Sequence, residues 1–195
     1  MVLKGRPEFA KRPDHIQGGT VMARVPYLTR EDFPAEKQAI YDQIARHRGS
    51  VERPFQALLN SPELGGRVAS VGEYLRFDSI LPNDVREITT LAVAQELGSQ
   101  YEWERHLPLA RSAGVREEVI DAIRDSTPLR RLMPKEAVFV QIAQELLREK
   151  KVRAATYSAV EHLLQRQGAV ELVVTVAYYA LLAYVMHALE IEPEV

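Results

Sequence analysis

The chain has 195 residues, 46% of them apolar and 27% charged, which suits one globular domain and argues against wholesale disorder. Its 25 basic and 27 acidic side chains leave a net charge of −2, with no general bias towards nucleic acid or an anionic membrane surface. It contains no cysteine, which excludes disulfides, thiolate metal sites, cysteine nucleophiles and dithiol redox chemistry.

Residues 1–34 hold Pro7, Pro13, Pro26 and Pro34 together with Gly5, Gly18 and Gly19. No helical period survives that punctuation, so an irregular arm is expected that wraps a neighbour or stays mobile. The N-terminal stretch has no apolar core and is not read as a signal peptide; a cytoplasmic location is the expectation.

From residue 35 to the end the pattern is that of a single helical domain. Ala35 to Arg46 places Ile40, Tyr41 and Ile44 on one side and stops at Gly49. A short piece, Pro54 to Leu59, is followed by Ser61-Pro62, a favoured helix start. That helix is expected to run to about Phe77, with Leu64, Val68, Val71 and Leu75 on one stripe. Asp84 and Glu87 resemble a capping box for the next helix, which ends at Gly98. Ser99 opens another that ends at Gly114, with Pro108 expected to bend or loosen it after His106. Glu117 to Arg124, Pro134 to Lys150, Ala154 to Gln167 and Val170 to Leu189 complete an all-α reading. The last of these is apolar on nearly every face. Its run from Leu172 to Met186 covers only 15 residues, short of the ~20 that a membrane span needs. Burial in the core or between subunits is therefore expected, with Tyr178, Tyr179 and Tyr184 suited to either.

One constellation carries chemistry. In REITTLAVAQELGSQYEWERH (residues 86–106), Glu102 and His106 are four apart and share a helix face. Ser99 lies on the same face, and Glu87 approaches it if the two helices fold back on each other. An imidazole beside two carboxylates is an acid–base unit, because histidine takes and gives a proton near neutrality. A structural reading stands beside it: Ser99-x-x-Glu102 is itself a capping box, and Glu102 with His106 is also a plain surface pair. Trp103, the single tryptophan, is a candidate ligand platform or a core anchor. His15 and His47 sit in loop-like context, His162 in a polar one, and His187 reads as a satisfied buried histidine.

Residues 82–114 resemble the carboxymuconolactone decarboxylase family, which includes the alkylhydroperoxidase D-like proteins. The resemblance is carried by Arg86-Glu87, Leu91-Ala92-Val93-Ala94, YEWERH, Ala110 and Ala113-Gly114. It implies a compact multi-helix fold of the alkylhydroperoxidase D-like type, assembled as a homo-oligomer, trimer or hexamer. Peroxidatic members carry a glutamate, a C-x-x-C pair and a histidine four residues after the second cysteine. Laid on this chain, those positions are Glu87, Ser99 and Glu102, and His106. Serine and glutamate form no disulfide, so a thiol peroxidase is excluded.

What the resemblance implies instead is cofactor-independent acid–base chemistry, of the decarboxylase kind, on a small unsaturated carboxylic acid or lactone. His106, Glu87 and Glu102 are the expected catalytic residues, and Ser99, Arg86 and Trp103 the expected substrate-binding ones, with Arg105 a second choice for a substrate carboxylate. No cofactor or metal, no nucleic acid and no membrane is expected. Two alternatives remain open at this stage. One is a non-catalytic helical oligomer that binds a small acid. The other is a metal-dependent hydrolase built on Glu87, Glu102 and His106.

Overall fold

The computed structural model describes residues 23–193, and its centre is one helix, α4 (Asn83–Leu97), in which every residue from Val85 to Ala94 is buried. A helix apolar on one stripe would lie on a surface. One covered on all sides must be surrounded. The surrounding helices are α5 (Gln100–Ser112), α6 (Glu117–Arg124), α7 (Pro134–Gln144) and α8 (Ala154–Leu189). Leu91, Ile120, Ile142, Leu172 and Val176 form the dry centre of this core. A smaller apolar cluster joins Phe33, Ile44, Phe55 and Leu59 beneath α1 (Gln38–Arg48), α2 (Arg53–Leu58) and α3 (Pro62–Glu73). Among the described residues every regular element is helical, as the sequence predicts.

The turn between α4 and α5 sets the site. Gly98 takes φ 63°, a left-handed conformation open to glycine at little cost. The N–H of Ser99 then reaches back to the carbonyl of Ala94 at 2.8 Å and closes the helix end. The chain reverses within two residues, and α5 returns along α4. It runs through Pro108 without ending there.

Several local expectations are corrected. Helix α4 begins at Asn83 behind Pro82, with no side-chain cap, so Asp84 and Glu87 form no capping box. Ser99 is the N-cap of α5, but its side chain makes no capping bond, and Glu102 turns to His106. Helix α3 is followed by one wide π turn at Tyr74–Asp78, and Leu64 and Val71 of the expected buried stripe are exposed. The two final helices are present as expected, but the break between them falls at Gln165 (φ 59°, ψ 174°), a few residues earlier than the sequence suggests; together they are called α8.

The α8 segment, kinked at Gln165, carries a stretch of mean hydropathy 1.9 that by length and composition would cross a membrane. Length therefore does not decide the matter as the sequence suggested. What assigns α8 to the core is its packing against α4 and α7, which leaves 61% of that stretch buried. Its outer face is different: Val170, Val174, Leu181 and Tyr184 are all exposed.

Residues 1–22, including His15, lie outside the described residues. The described part of the arm is tied to the body of the same chain. Arg24 N–H donates to the carbonyl of Leu189 (2.8 Å), Asn60 Nδ2 donates to that of Pro26 (2.9 Å), and Phe33 is buried in the smaller cluster.

Candidate acid–base site

The spacing of Glu102 and His106 on α5 and the reversal at Gly98 bring three buried ionisable groups together. His106, Glu102 and Glu87 are 3%, 4% and 5% exposed. His106 Nδ1 donates to Oε2 of Glu87 across the α4–α5 contact at 2.7 Å. Its other nitrogen, Nε2, stands 3.3 Å from Oε2 of Glu102. The imidazole is thus held at both edges by carboxylates, and the edge of the Tyr179 ring lies against it at 4.9 Å.

Burial opposes a charge on His106, but the hydrogen bonds and attraction of Glu102 and Glu87 outweigh it and push its pKa up to about 8. Burial likewise works against ionised Glu87, and the His106 bond, with Arg86 beside it, overcomes that and lowers the carboxyl. The resting state near neutrality is therefore a protonated imidazole between two carboxylates. Such a group is poised to give a proton and take one back.

The other expected residues go elsewhere. Arg86 serves Glu87: its Nε lies 3.5 Å from Oε1 of Glu87 while Nη2 donates to Asn83 (2.7 Å). Arg105 is engaged with Glu52 through Nε at 2.8 Å. Trp103 points away around the helix, where the Arg124 guanidinium lies over its ring at 5.7 Å. Ser99 is buried and borders a separate groove between the α4–α5 turn and the end of α8. His187 is exposed and bonds the carbonyl of Leu97 (2.8 Å), and His162 is exposed. Of the residues assigned to the site from sequence, the fold brings together the three catalytic ones and Arg86, and it sets Ser99 and Trp103 apart.

A cavity of about 20 Å³ opens on the Glu102 side of the imidazole, room for about one water. Its wall includes groups that sequence reasoning missed: Arg48 from the end of α1, Arg76 from the π turn, and Tyr178 from α8. The paired tyrosines in an otherwise aliphatic helix were the one available signal for Tyr178 and Tyr179. Nothing local marks Arg48 or Arg76.

The two carboxylates grip opposite edges of one ring and do not converge on a common point. Among the described residues, no group of three or more histidine, aspartate or glutamate side chains is placed to hold a metal ion. The donor set read as a metal site from sequence is an imidazole clamp.

Residues 62–145, which contain α4, α5 and the whole Glu87–Glu102–His106 clamp, match the carboxymuconolactone decarboxylase family. The match covers this segment and not the helices on either side of it. No curated protein matches the chain. The fold is shared with crystal structures of the debrominase Bmp8. A cysteine-to-alanine variant in complex with 2,3,4-tribromopyrrole superposes with a TM-score of 0.69 at 12% identity, covering 90% of this chain and 92% of that one. The apo form gives 0.68 at 12% identity, covering 86% and 90%. At that identity the likeness concerns the fold. The chain has no cysteine, so it has no thiol chemistry.

Proposed function

We propose that this protein is a cofactor-independent acid–base enzyme acting on a small unsaturated carboxylic acid or lactone, by decarboxylation. The observation that carries this reading is the buried His106, protonated near neutrality and held between Glu87 and Glu102 beside a small cavity. In the proposed reaction the bond to the departing carboxylate breaks as carbon dioxide leaves. Its electron pair passes into the conjugated carbonyl, and the proton on His106 Nε2 then goes to carbon. Glu87 keeps the ring oriented through Nδ1. Glu102 disfavours the ionised departing carboxylate by like-charge repulsion in a dry site. Water returns the proton.

Carbon dioxide release from a panel of unsaturated lactone acids and β-keto acids tests this. The parent protein is expected to release it from at least one of them. His106→Ala is expected to lose about 10²–10⁴-fold in rate, the usual contribution of a general acid. Turnover at the parent rate in the variant would remove His106 from the chemistry, and binding without conversion would leave a small-acid-binding protein.

The exposed aliphatic face of α8 supports a second part of the reading, assembly as a homo-oligomer, trimer or hexamer. Val170 and Val174 continue across a groove of about 880 Å³ to Val71 and Tyr74. A contiguous apolar surface of this kind is where a subunit contact forms.

A further inference from the structure

Positive charge is in excess around the cavity. Arg48, Arg76, Arg86, Arg105 and protonated His106 face three carboxylates, Glu52, Glu87 and Glu102. Two of the arginines are accounted for, Arg86 by Glu87 and Arg105 by Glu52. The other two are not matched in the same way.

The Arg48 side chain is only 4% exposed, yet its guanidinium comes no nearer than 4.0 Å to Glu52. Its hydrogen bond to a protein group is a long one, 3.5 Å to the carbonyl of Ala69, and it lies over the Phe55 ring at 4.4 Å. Arg76 is drawn to the cavity by the π turn and makes no ion pair among the described residues. Wide turns of this type interrupt helices most often where function needs a side chain re-aimed.

A third group points the same way. The hydroxyl of Tyr178 is buried, the residue being 6% exposed; the Arg48 guanidinium can donate to its oxygen, but its own O–H finds no acceptor among the described residues. It lies beside the Arg48 guanidinium, over Gly72. A Cβ on Gly72 would stand 2.1 Å from the hydroxyl oxygen and 2.9 Å from the Arg48 Nη2. The backbone of α3 therefore leaves just the space these two groups fill. A buried donor left unpaired costs the desolvation of that group, and a buried cation without a close anion costs more.

We infer that Arg48, Arg76 and the Tyr178 hydroxyl form an anion anchor, which holds a carboxylate of the substrate across the cavity from the His106–Glu102 pair. The inference rests on the acid–base reading of the same site and names what positions the substrate there. Guanidinium groups favour an ionised carboxylate and oppose its loss as carbon dioxide. The anchored carboxylate is accordingly the one retained, and the reacting carbon faces His106 Nε2. Arg105, with 39% of its side chain exposed, forms the outer wall beside Glu52. The anchor replaces Arg86 and Arg105 as the carboxylate-binding groups expected from sequence.

The test is equilibrium binding of acetate and benzoate, at constant ionic strength in chloride, to the full chain by calorimetry. The parent protein is expected to bind at least one of them saturably. Arg76→Gln and Tyr178→Phe are each expected to weaken that binding about tenfold, the loss of one charge-assisted or buried hydrogen bond. Arg111→Gln, which removes a surface pair with Glu117, serves as the control and is expected to change nothing. Arg48 is left intact because its removal threatens folding. Absence of saturable binding in the parent, or binding within twofold of the parent in Arg76→Gln, overturns the anchor. Because no turnover is needed, acetate binding without activity on any acid would refute the enzymatic reading alone. Turnover with an unchanged KM in Arg76→Gln would refute the anchor alone.

Discussion

His106 links the stability of the fold to its chemistry through one proton. Its pKa lies above the ordinary 6.5, at about 8. The folded state therefore gains stability from the proton that is fully present below pH 6.5 and is lost as pH rises through 8. A displacement of this size corresponds to about 2 kcal/mol, or roughly 4–8 °C in melting temperature for a chain of this length. Thermal unfolding between pH 6 and 9 is expected to show that decline, and His106→Gln is expected to flatten it. Glu87 works in the opposite sense. Its lowered carboxyl gives stability present above the ordinary carboxylate range and lost on acidification. The same proton on His106 is the one proposed for delivery to substrate, so the rate is expected to fall above pH 8 as well. Equal pH dependence in the parent and His106→Gln would show that the clamp does not hold the proton.

At the scale of elements, two departures from regular helix matter for different reasons. The π turn at Tyr74–Asp78 is fixed from outside. Glu171 of α8 accepts from the hydroxyls of Tyr74 (2.8 Å) and Ser79 (2.6 Å) and from the N–H of Ile80 (3.0 Å). Those three bonds hold the end of the turn, and with it the position of Arg76. The break at Gln165 has no such role in the site. Its φ of 59° with ψ of 174° falls in a region essentially reserved for glycine, at a cost on the order of 1–3 kcal/mol for other residues. Gln165 is exposed, so Gln165→Gly relieves strain without opening a cavity. The variant is expected to be stabilised by about 1 kcal/mol after the larger unfolded-state entropy of glycine is subtracted. Chemical denaturation checks this, and a destabilised variant would show that the break is held by Gln165 itself. The π turn has no sequence signature, and the sequence suggests a break near Gly168 without fixing it at Gln165. A π turn and a kink are settled by what packs against them, and the residues concerned are ordinary helix formers.

For the molecule as a whole, the outer face of α8 is the feature a monomer does not explain. Val174, Leu181 and Tyr184 are 40%, 43% and 61% exposed along one side of a helix whose other side is the core. If that face is a subunit contact, a charge there destroys the assembly while the fold survives. Leu181→Asp is expected to sediment as a smaller species than the parent with unchanged helicity. An unchanged sedimentation coefficient would place the contact elsewhere.

The sequence alone determined the all-helical class, most helix boundaries and the Glu87–Glu102–His106 clamp. These depend on short-range rules: helical periodicity, proline and glycine punctuation, and an i, i+4 pair that shares a face whatever surrounds it. The exclusion of thiol chemistry needs no structure, since it follows from composition. The tertiary structure alone decided which neighbours the clamp has. Trp103 adjoins Glu102 in sequence, yet the helical rotation turns it away. Ser99 has the spacing of a cap, yet its side chain makes no capping bond and Glu102 pairs with His106. Arg48, Arg76 and Tyr178 lie on three separate elements, and only the packing of α1, α3 and α8 brings them to one cavity. Spacing along the chain cannot encode that meeting, because it depends on the distances between helices and on the space left at Gly72.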